Sequence, residues 1–508
     1  MMEQAPRSER FVRNVGASVV GQLGVLTVSF LLTPKLIHAL GVEAYGLYIL
    51  LQAAVGYVSL FCLGAGAATI KHVAERAGRG GRGLREALRH SAALHLGGSL
   101  CGAVALFALA GPCAHRLFRV PAPLVGPAIF VLRCAAVGAV FASLNQSAAT
   151  ILQGFQRFDW QNALSLLQGA ALVAGATALA VAGFGINGVA RWYAAWSACV
   201  AALSAAAVWR LARRRWAGGG AGLPFGRFLK FGLSVWTGSV AWIVTFQFDR
   251  LFIAHDTNLA ALTFYSVPAN LLQRLQFFPA IVGTVLLPMF SEIGNDEATT
   301  QAVYLRGVRS LLFIVLPALA LLFCLMPQFL GLWLGGEFGS RSVWPARLLV
   351  AAQAFLLLNQ VPNAAVTGRG KPLYMSAVAW GQAVISVISW PLLIGRLDIL
   401  GVALGSLLAQ MIPTCLYLGA VHRRVLKIPL ERFLRESLLK PLGCAALLLA
   451  AVFPIHAEAS SWPRLMGIVA AGLLLYAAAA WAALEKGDKD LLRRLARRRL
   501  LSAPTLGS

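Results

Sequence analysis

The sequence predicts an all-α integral membrane protein of about 14 transmembrane helices, built as two parallel six-helix repeats plus two extra C-terminal helices. Three observations predict it. First, the 508 residues are 58% hydrophobic and only 12% charged, with a mean hydropathy of +0.72. A water-soluble chain of this length cannot bury so much apolar surface, because the buried fraction saturates as domains grow. Second, long stretches carry no charge at all, on the scale of the roughly 20 residues that cross a bilayer as a helix. Third, polar positions of the first half recur in the second.

Taken in order, the runs 14–34, 44–70, 90–115, 134–156, 160–190 and 192–209 hold no Asp, Glu, Lys or Arg. They place spans 1–6 with starts near 14, 45, 91, 126, 160 and 189. Spans 7–12 start near 230, 262, 308, 345, 373 and 400, and spans 13 and 14 near 438 and 464. Span 8 joins the two charge-free runs 257–273 and 275–291 across a single arginine, Arg274. The runs are long and Leu/Ala-rich and lack the roughly ten-residue alternation of a membrane barrel.

A net charge of +25 and a pI near 10.7 suggest nucleic acid at first sight, but topology accounts for them better. With the N-terminus inside, 33 of the 44 basic residues fall in inward loops and tails, in clusters such as Arg76–Arg89, Arg210–Lys230 and Arg423–Lys440. That bias predicts both termini in the cytoplasm and no nucleic-acid partner. The tail RRLARRR is expected to rest on anionic lipid headgroups. The opening MMEQAPRSERFVRN is too polar for a signal peptide. Eight cysteines stand singly, without a CxxC, so neither a metal site nor a disulfide framework is expected. No cofactor motif is present: GRGKP at 368–372 lacks the spacing of a phosphate loop and reads as an inward turn, while His90 and His95 are not expected to complete a metal site, for want of enough nearby carboxylates.

At a fixed offset of 214, Arg133 meets Arg347, Phe141 meets Phe355, and Asn145-Gln146 meets Asn359-Gln360. Gly154 then meets Gly368 and Gln168 meets Gln382 with no gap, and RFVRNVGAS (10–18) pairs with RFLKFGLS (227–234) nearby. Six helices per half make this a parallel repeat about an axis along the membrane normal. The expected organisation is residues 1–212 for the first lobe, 213–224 for a cytoplasmic linker and 225–424 for the second lobe. Residues 425–484 then hold spans 13 and 14, and 485–508 form a basic cytoplasmic tail. The paired Asn-Gln residues are best read as helix–helix hydrogen bonding.

The stretch LLTPKLIHALGVEAYGLYILLQAAVGYVSL, the turn ILQGFQRFDW after span 4, and the six-plus-six-plus-two plan together carry a resemblance. The chain resembles polysaccharide exporters, or lipid-linked oligosaccharide (O-antigen type) flippases, of the multidrug/oligosaccharidyl-lipid/polysaccharide superfamily. The resemblance covers most of the chain, and its diffuse motifs identify the class better than the substrate. It implies a two-lobed transporter whose cavity is lined mainly by spans 1, 2, 7 and 8, with basic residues there for a lipid pyrophosphate, and alternating exposure to the two sides.

Each of those four spans carries a polar face of its own at 100° per residue. Span 1 shows Asn14, Ser18, Gln22, Ser29 and Thr33; span 2 shows Tyr45, Tyr48, Gln52, Gly56 and Ser59. Span 7 shows Ser234, Gly238, Thr245 and Asp249 with Trp242 beside them, and span 8 shows Thr263, Ser266, Asn270, Gln273 and Thr284 with Arg274 at the edge. An arginine inside the membrane costs about 2.5–3.5 kcal/mol on insertion scales, so it normally faces a wet cavity or a partner. A purely structural use, bonded to carbonyls or to Gln neighbours, competes with a functional one, a fixed charge for an anionic headgroup, which guanidinium matches bidentately. The functional use is the stronger expectation for Arg274. Arg133 and Arg347 are expected near the outer ends of spans 4 and 10, either snorkelling or placed at the cavity mouth. Tyr48 and Trp242 are candidates for stacking on sugars, against a packing role.

The function expected is transport of a lipid-linked oligosaccharide of polyprenyl pyrophosphate type across the bacterial cytoplasmic membrane, for surface polysaccharide (lipopolysaccharide O-antigen) assembly. Membrane lipids and other polysaccharide-assembly proteins would be its partners. A cation-coupled multidrug exporter is the rival on the same fold, but it needs buried carboxylates, and only Asp249 is well placed. A membrane polymerase or ligase is the rival of another class. It would want large outer loops, whereas the longest, near 328–344, is short and lacks an acid–base pair, so an enzyme is not expected.

Overall fold

The computed structural model describes residues 7–77, 81–213, 222–274, 276, 286–294, 296–484 and 489, with residues 7–23 described by backbone path alone. Among the described residues the chain is helical throughout, with no strand. Ten helices among the described residues are long and apolar enough to cross a membrane. All fourteen starts read from the sequence lie on helix, yet the count of fourteen crossings is not reached by length and composition among the described residues.

The helices are α1 (Arg7–Leu40), α2 (Val42–Val58), α3 (Ala65–Arg76), α4 (Gly81–Pro112), α5 (Ala122–Gly154), α6 (Phe158–Val181) and α7 (Gly185–Ala212). Then come α8 (Phe225–Gln247), α9 (Asp249–Asp256), α10 (Leu259–Arg274), α11 (Glu297–Leu334), α12 (Val343–Leu358) and α13 (Gln360–Gly368). The chain continues with α14 (Leu373–Val421), α15 (Leu439–Val452) and α16 (Trp462–Ala483). Two compact units result: residues 1–267 with 382–405, and residues 268–381 with 406–508.

In the first unit α1 lies along α6, and α5 packs on α4 and α7. Between membrane helices there is little hydrophobic driving force, so small residues and polar cross-links set the packing. Gly138 on α5 lets the Tyr193 ring of α7 lie against the backbone. A ladder of hydroxyls joins three helices: Thr69 Oγ1 donates to Ser91 Oγ at 2.7 Å, and Ser91 Oγ bonds Ser147 Oγ at 2.9 Å. Ser204 Oγ on α7 donates to Asn145 Oδ1 at 2.6 Å. Both residues of the predicted Asn pair serve helix packing, since Asn359 Nδ2 donates to Thr414 Oγ1 at 2.9 Å in the second unit.

The charge-free run 44–70 that marks span 2 holds two helices. It breaks after α2 and turns through Leu63 (φ 49°) and Gly64 (φ 71°) into α3. Left-handed backbone is cheap at glycine. Here the turn also brings Gly64 onto α8, where any Cβ would overlap the carbonyl of Gly232.

In the second unit α11 is central and packs against α12, α15 and α16. Its buried face includes Tyr304, Leu312 and Cys324, meeting Val361, Val421 and Leu448. Tyr304 and His422 are joined through Oη and Nε2 at 2.8 Å. The GRGKP segment is a turn, as expected, closed by Lys371 N donating to Val366 O at 2.8 Å. Arg369 there donates to Val425 O and Thr300 Oγ1. Spans 11 and 12 are the two arms of α14, which reverses at Asp398 (φ 54°, ψ −140°).

Candidate substrate site where the two halves meet

Helix α2 and its continuation α3, from the first half of the chain, run beside α8, α9 and the opening turns of α10 from the second, these residues up to 267 all lying within the first unit. At one end Thr263 Oγ1 donates to Val42 O at 2.8 Å, and a Cβ on Gly46 would overlap the carbonyl of Leu259. The contact is reciprocal, for Gly46 and Thr263 are separated by the same 217 residues as Val42 and Leu259. Along the pair, Tyr57 Oη donates to Gln247 O at 2.7 Å and Trp236 Nε1 to Leu60 O at 2.7 Å. Beyond Gly64 and Gly232, the His72 ring lies 5.7 Å from Phe228 and 6.0 Å from Phe231.

Midway sits a buried charged cluster. Asp249 and Arg250 are each 5% exposed. Asp249 Oδ1 accepts from the Arg250 backbone N–H at 2.8 Å, and the carboxylate is also hydrogen-bonded to Tyr265. The Arg250 guanidinium acts electrostatically on Asp249, Tyr45 and Tyr57, while Tyr45 bonds Thr33. A buried charge is tolerated when it is paired and its remaining lone pairs are bonded, as here. The residue-by-residue reading missed Arg250. Its signal was present in FDR, two opposite charges side by side after the charge-free run 231–248.

The predicted site residues distribute as follows. Tyr48 is 3% exposed, with its ring 5.6 Å from Tyr45, so like Asp249 it presents no face to a ligand in this conformation. Gln52 is half-buried, and Trp242 is 46% exposed with its ring 5.6 Å from Phe246. Asn270 and Gln273 are half-buried and Arg274 is exposed. The side chains of Ser18 and Gln22 lie outside the described residues, as does Thr284.

Among the described residues α10 ends at Arg274, and Gln276 N turns back to Gln273 O at 3.2 Å; the rest of span 8 as far as residue 285 lies outside the described residues. Arg274 therefore occupies the last turn of α10, where a cation also complements the unpaired carbonyls of the helix end. Helix is found again from residue 286.

The repeat-related arginines share a partner type but not an environment. Arg133 is exposed, with its guanidinium 5.1 Å from the Phe107 ring centre. Arg347 is 9% exposed and 5.4 Å from Phe323; its Nε donates to Phe323 O at 2.9 Å. Among the described residues no group of His, Cys, Asp and Glu could hold a metal ion.

Comparison with known proteins places the chain. The profile of the family described as "Polysaccharide biosynthesis protein" matches residues 11–294. A putative O-antigen transporter of Shigella flexneri is 22% identical over 180 residues, 35% of this chain and 43% of that relative, so the match spans less than half of the relative's length. The fold follows that of the lipid II flippase MurJ in an inward closed conformation, with TM-score 0.70 and 15% identity over 95% of this chain and 100% of that one. It also follows an inward-facing multidrug resistance MATE transporter of the MOP superfamily, with TM-score 0.63 and 15% identity over 79% and 98% of the two chains. The chain is a multi-pass membrane protein of the polysaccharide biosynthesis protein family, with the fold of the MOP superfamily.

Proposed function

We propose that the protein moves a lipid-linked oligosaccharide, of polyprenyl pyrophosphate type, across the bacterial cytoplasmic membrane by alternating access. The observation that carries this reading is the sign of the buried charge. Among the described residues the buried charged side chains are Asp249, Arg250, Arg309 and Arg347, one acid against three arginines. That one carboxylate is already held by Arg250 and Tyr265. A cation exporter needs a free acid at its heart, whereas an anionic headgroup needs fixed positive charge. Family membership and the O-antigen transporter likeness point the same way.

In this proposal Arg274 meets the pyrophosphate, with Gln273 and Asn270 beside it on α10, and Gln22 and Ser18 of α1 contribute polar groups to the same substrate. Gln52 and Trp242 line the path of the sugars, Tyr48 reaches it only in a conformation that uncovers its ring, Asp249 fixes the helix pair, and Arg133 and Arg347 stand near the mouth. Nothing in the role requires bond cleavage or a cofactor. Both termini are cytoplasmic, and glycosyltransferases and other polysaccharide-assembly proteins would supply and take up the cargo.

The test is a strain lacking this gene. Loss of surface polysaccharide, with lipid-linked repeat units accumulating on the inner side and restored export on complementation, supports the proposal. Unchanged surface polysaccharide together with increased sensitivity to cationic drugs would move the assignment to multidrug export, the reading favoured by the MATE likeness.

A further inference from the structure

We propose that the Gly81 end of α4 carries a binding site for an anionic phospholipid. Two cavities share the same two turns of this helix. One, of about 530 Å³, has a lining that is half polar and includes Arg82, Glu86, Arg89 and His90 of α4 with Gly222 and Leu223 of the segment leading into α8. The other, of about 490 Å³, is apolar and lined by Leu88 and Ala92 of α4 together with Phe141, Ile151, Ala205 and Trp209. Headgroup and acyl chain are the two ends of one molecule, and the cavities offer charged and apolar surroundings on neighbouring faces of the same turns of α4.

The polar cavity is built for an anion. Its acid is satisfied: Glu86 Oε1 accepts from Arg82 Nε at 2.9 Å, and Oε2 accepts from the Leu223 backbone N–H. Arg82 keeps both Nη groups for a ligand, and Arg89 makes no ion pair or hydrogen bond among the described residues. His90 is held edge-on against Phe225 at 5.2 Å and Phe228 at 5.8 Å, and its buried Nδ1 has no hydrogen-bond partner. Positions 82, 86, 89, 90 and 93 fall on one face of the helix. Two guanidinium groups there match the oxygens of a phosphodiester, which accept paired hydrogen bonds. Gly222 passes close to the same carboxylate, since a Cβ on it would lie 2.8 Å from Glu86 Oε2. The apolar cavity argues for a lipid over a free ion.

The full chain in phosphatidylcholine nanodiscs, doped with acyl-photoreactive phosphatidylglycerol or the matching phosphatidylcholine, tests this. Phosphatidylglycerol should label peptides covering 88–92 and 201–212 about 10-fold more than phosphatidylcholine. Arg89→Gln should cut that labelling by about 10-fold, the loss expected for one charge-assisted hydrogen bond to phosphate. Ala205→Phe, which fills the apolar cavity from its rim, should exclude the label while leaving thermal stability unchanged. Equal labelling by the two lipids, or labelling indifferent to Arg89→Gln, overturns the proposal. Labelling abolished by millimolar orthophosphate overturns it too, by assigning the polar cavity to a free ion.

Discussion

Asn359 donates a hydrogen bond to Thr414 across two helices, and 214 residues earlier Asn145 accepts one from Ser204. The same asparagine of each half thus ties its helix to a hydroxyl about one span-pair later in the chain. Arg133 over Phe107 and Arg347 over Phe323 repeat in the same way. A helix-to-helix bond of this kind is worth about 0.6–2 kcal/mol in a membrane. Asn359→Leu and Thr414→Val should each lower stability by about 1 kcal/mol, and the double variant should lose less than their sum. Thermal unfolding in detergent measures the coupling; a value of zero removes the bond from the account of the fold.

Gly64 is the second point of leverage. Gly64→Ala must strain a left-handed residue and push α3 off Gly232, two penalties that together exceed about 2 kcal/mol. Gly97→Ala, where a Cβ meets nothing within 4 Å, is the matched control and should be neutral. Thermal unfolding and polysaccharide export measured on both variants check this. If Gly64→Ala behaves like Gly97→Ala, the close approach of the two helices is not required.

For Arg274 the expected order of transport is Arg, then Lys, then Ala, then Glu. Alanine removes a charge without burying a new one, so the protein should still accumulate while export falls at least about 10-fold. Lysine should rescue only in part, because a point ammonium cannot form the paired bonds of guanidinium, and glutamate should repel an anionic headgroup. Surface polysaccharide is measured beside protein level. Normal export by Arg274→Ala leaves the residue only its place at the end of α10.

Reporter fusions check the topology. Fusions at Gly80 and Gly219 should report the cytoplasm, and one at Glu337 the outside. An outside signal at Gly80 inverts the arrangement.

His72 gives the pH dependence. Burial holds its pKa below the ordinary 6.5, although Glu75, 3.2 Å from Nδ1, opposes the shift. Burial would raise Glu75, but hydrogen bonds to His72 and Arg76 bring it below its ordinary value. Because the unfolded chain takes up more protons at both groups, stability rises with pH through their windows. It should therefore be complete above about pH 6.5 and fall as pH drops towards the depressed folded pKa of His72 and then that of Glu75. His72→Gln should flatten the first part of that fall, seen as thermal midpoints from pH 7 to pH 5. An unchanged slope assigns the pH response elsewhere.

Membrane insertion imposes rules that act residue by residue, which is why so much was legible in the sequence. Lipid demands long uncharged helices and an inward bias of Lys and Arg, so the helical class, the fourteen helical starts and the family resemblance can be read without coordinates. The repeat was legible because polar residues inside lipid are costly and stand out: Asn145 and Asn359 do pack as paired devices. Contacts between helices far apart in sequence leave no such mark. The break at Leu63–Gly64 looks like uninterrupted span until Gly232 is seen against it. The end of α10 at Arg274 depends on a turn inside an apolar run, which hydropathy does not register. Whether a polar residue on a helical stripe faces a cavity or a neighbour is also a tertiary matter. Tyr48 and Asp249 share their stripes with exposed residues, and both are enclosed because Tyr45, Arg250 and Tyr265 close over them. Spacing along one helix fixes direction, but only the packed partner decides whether that direction ends in water, lipid or protein.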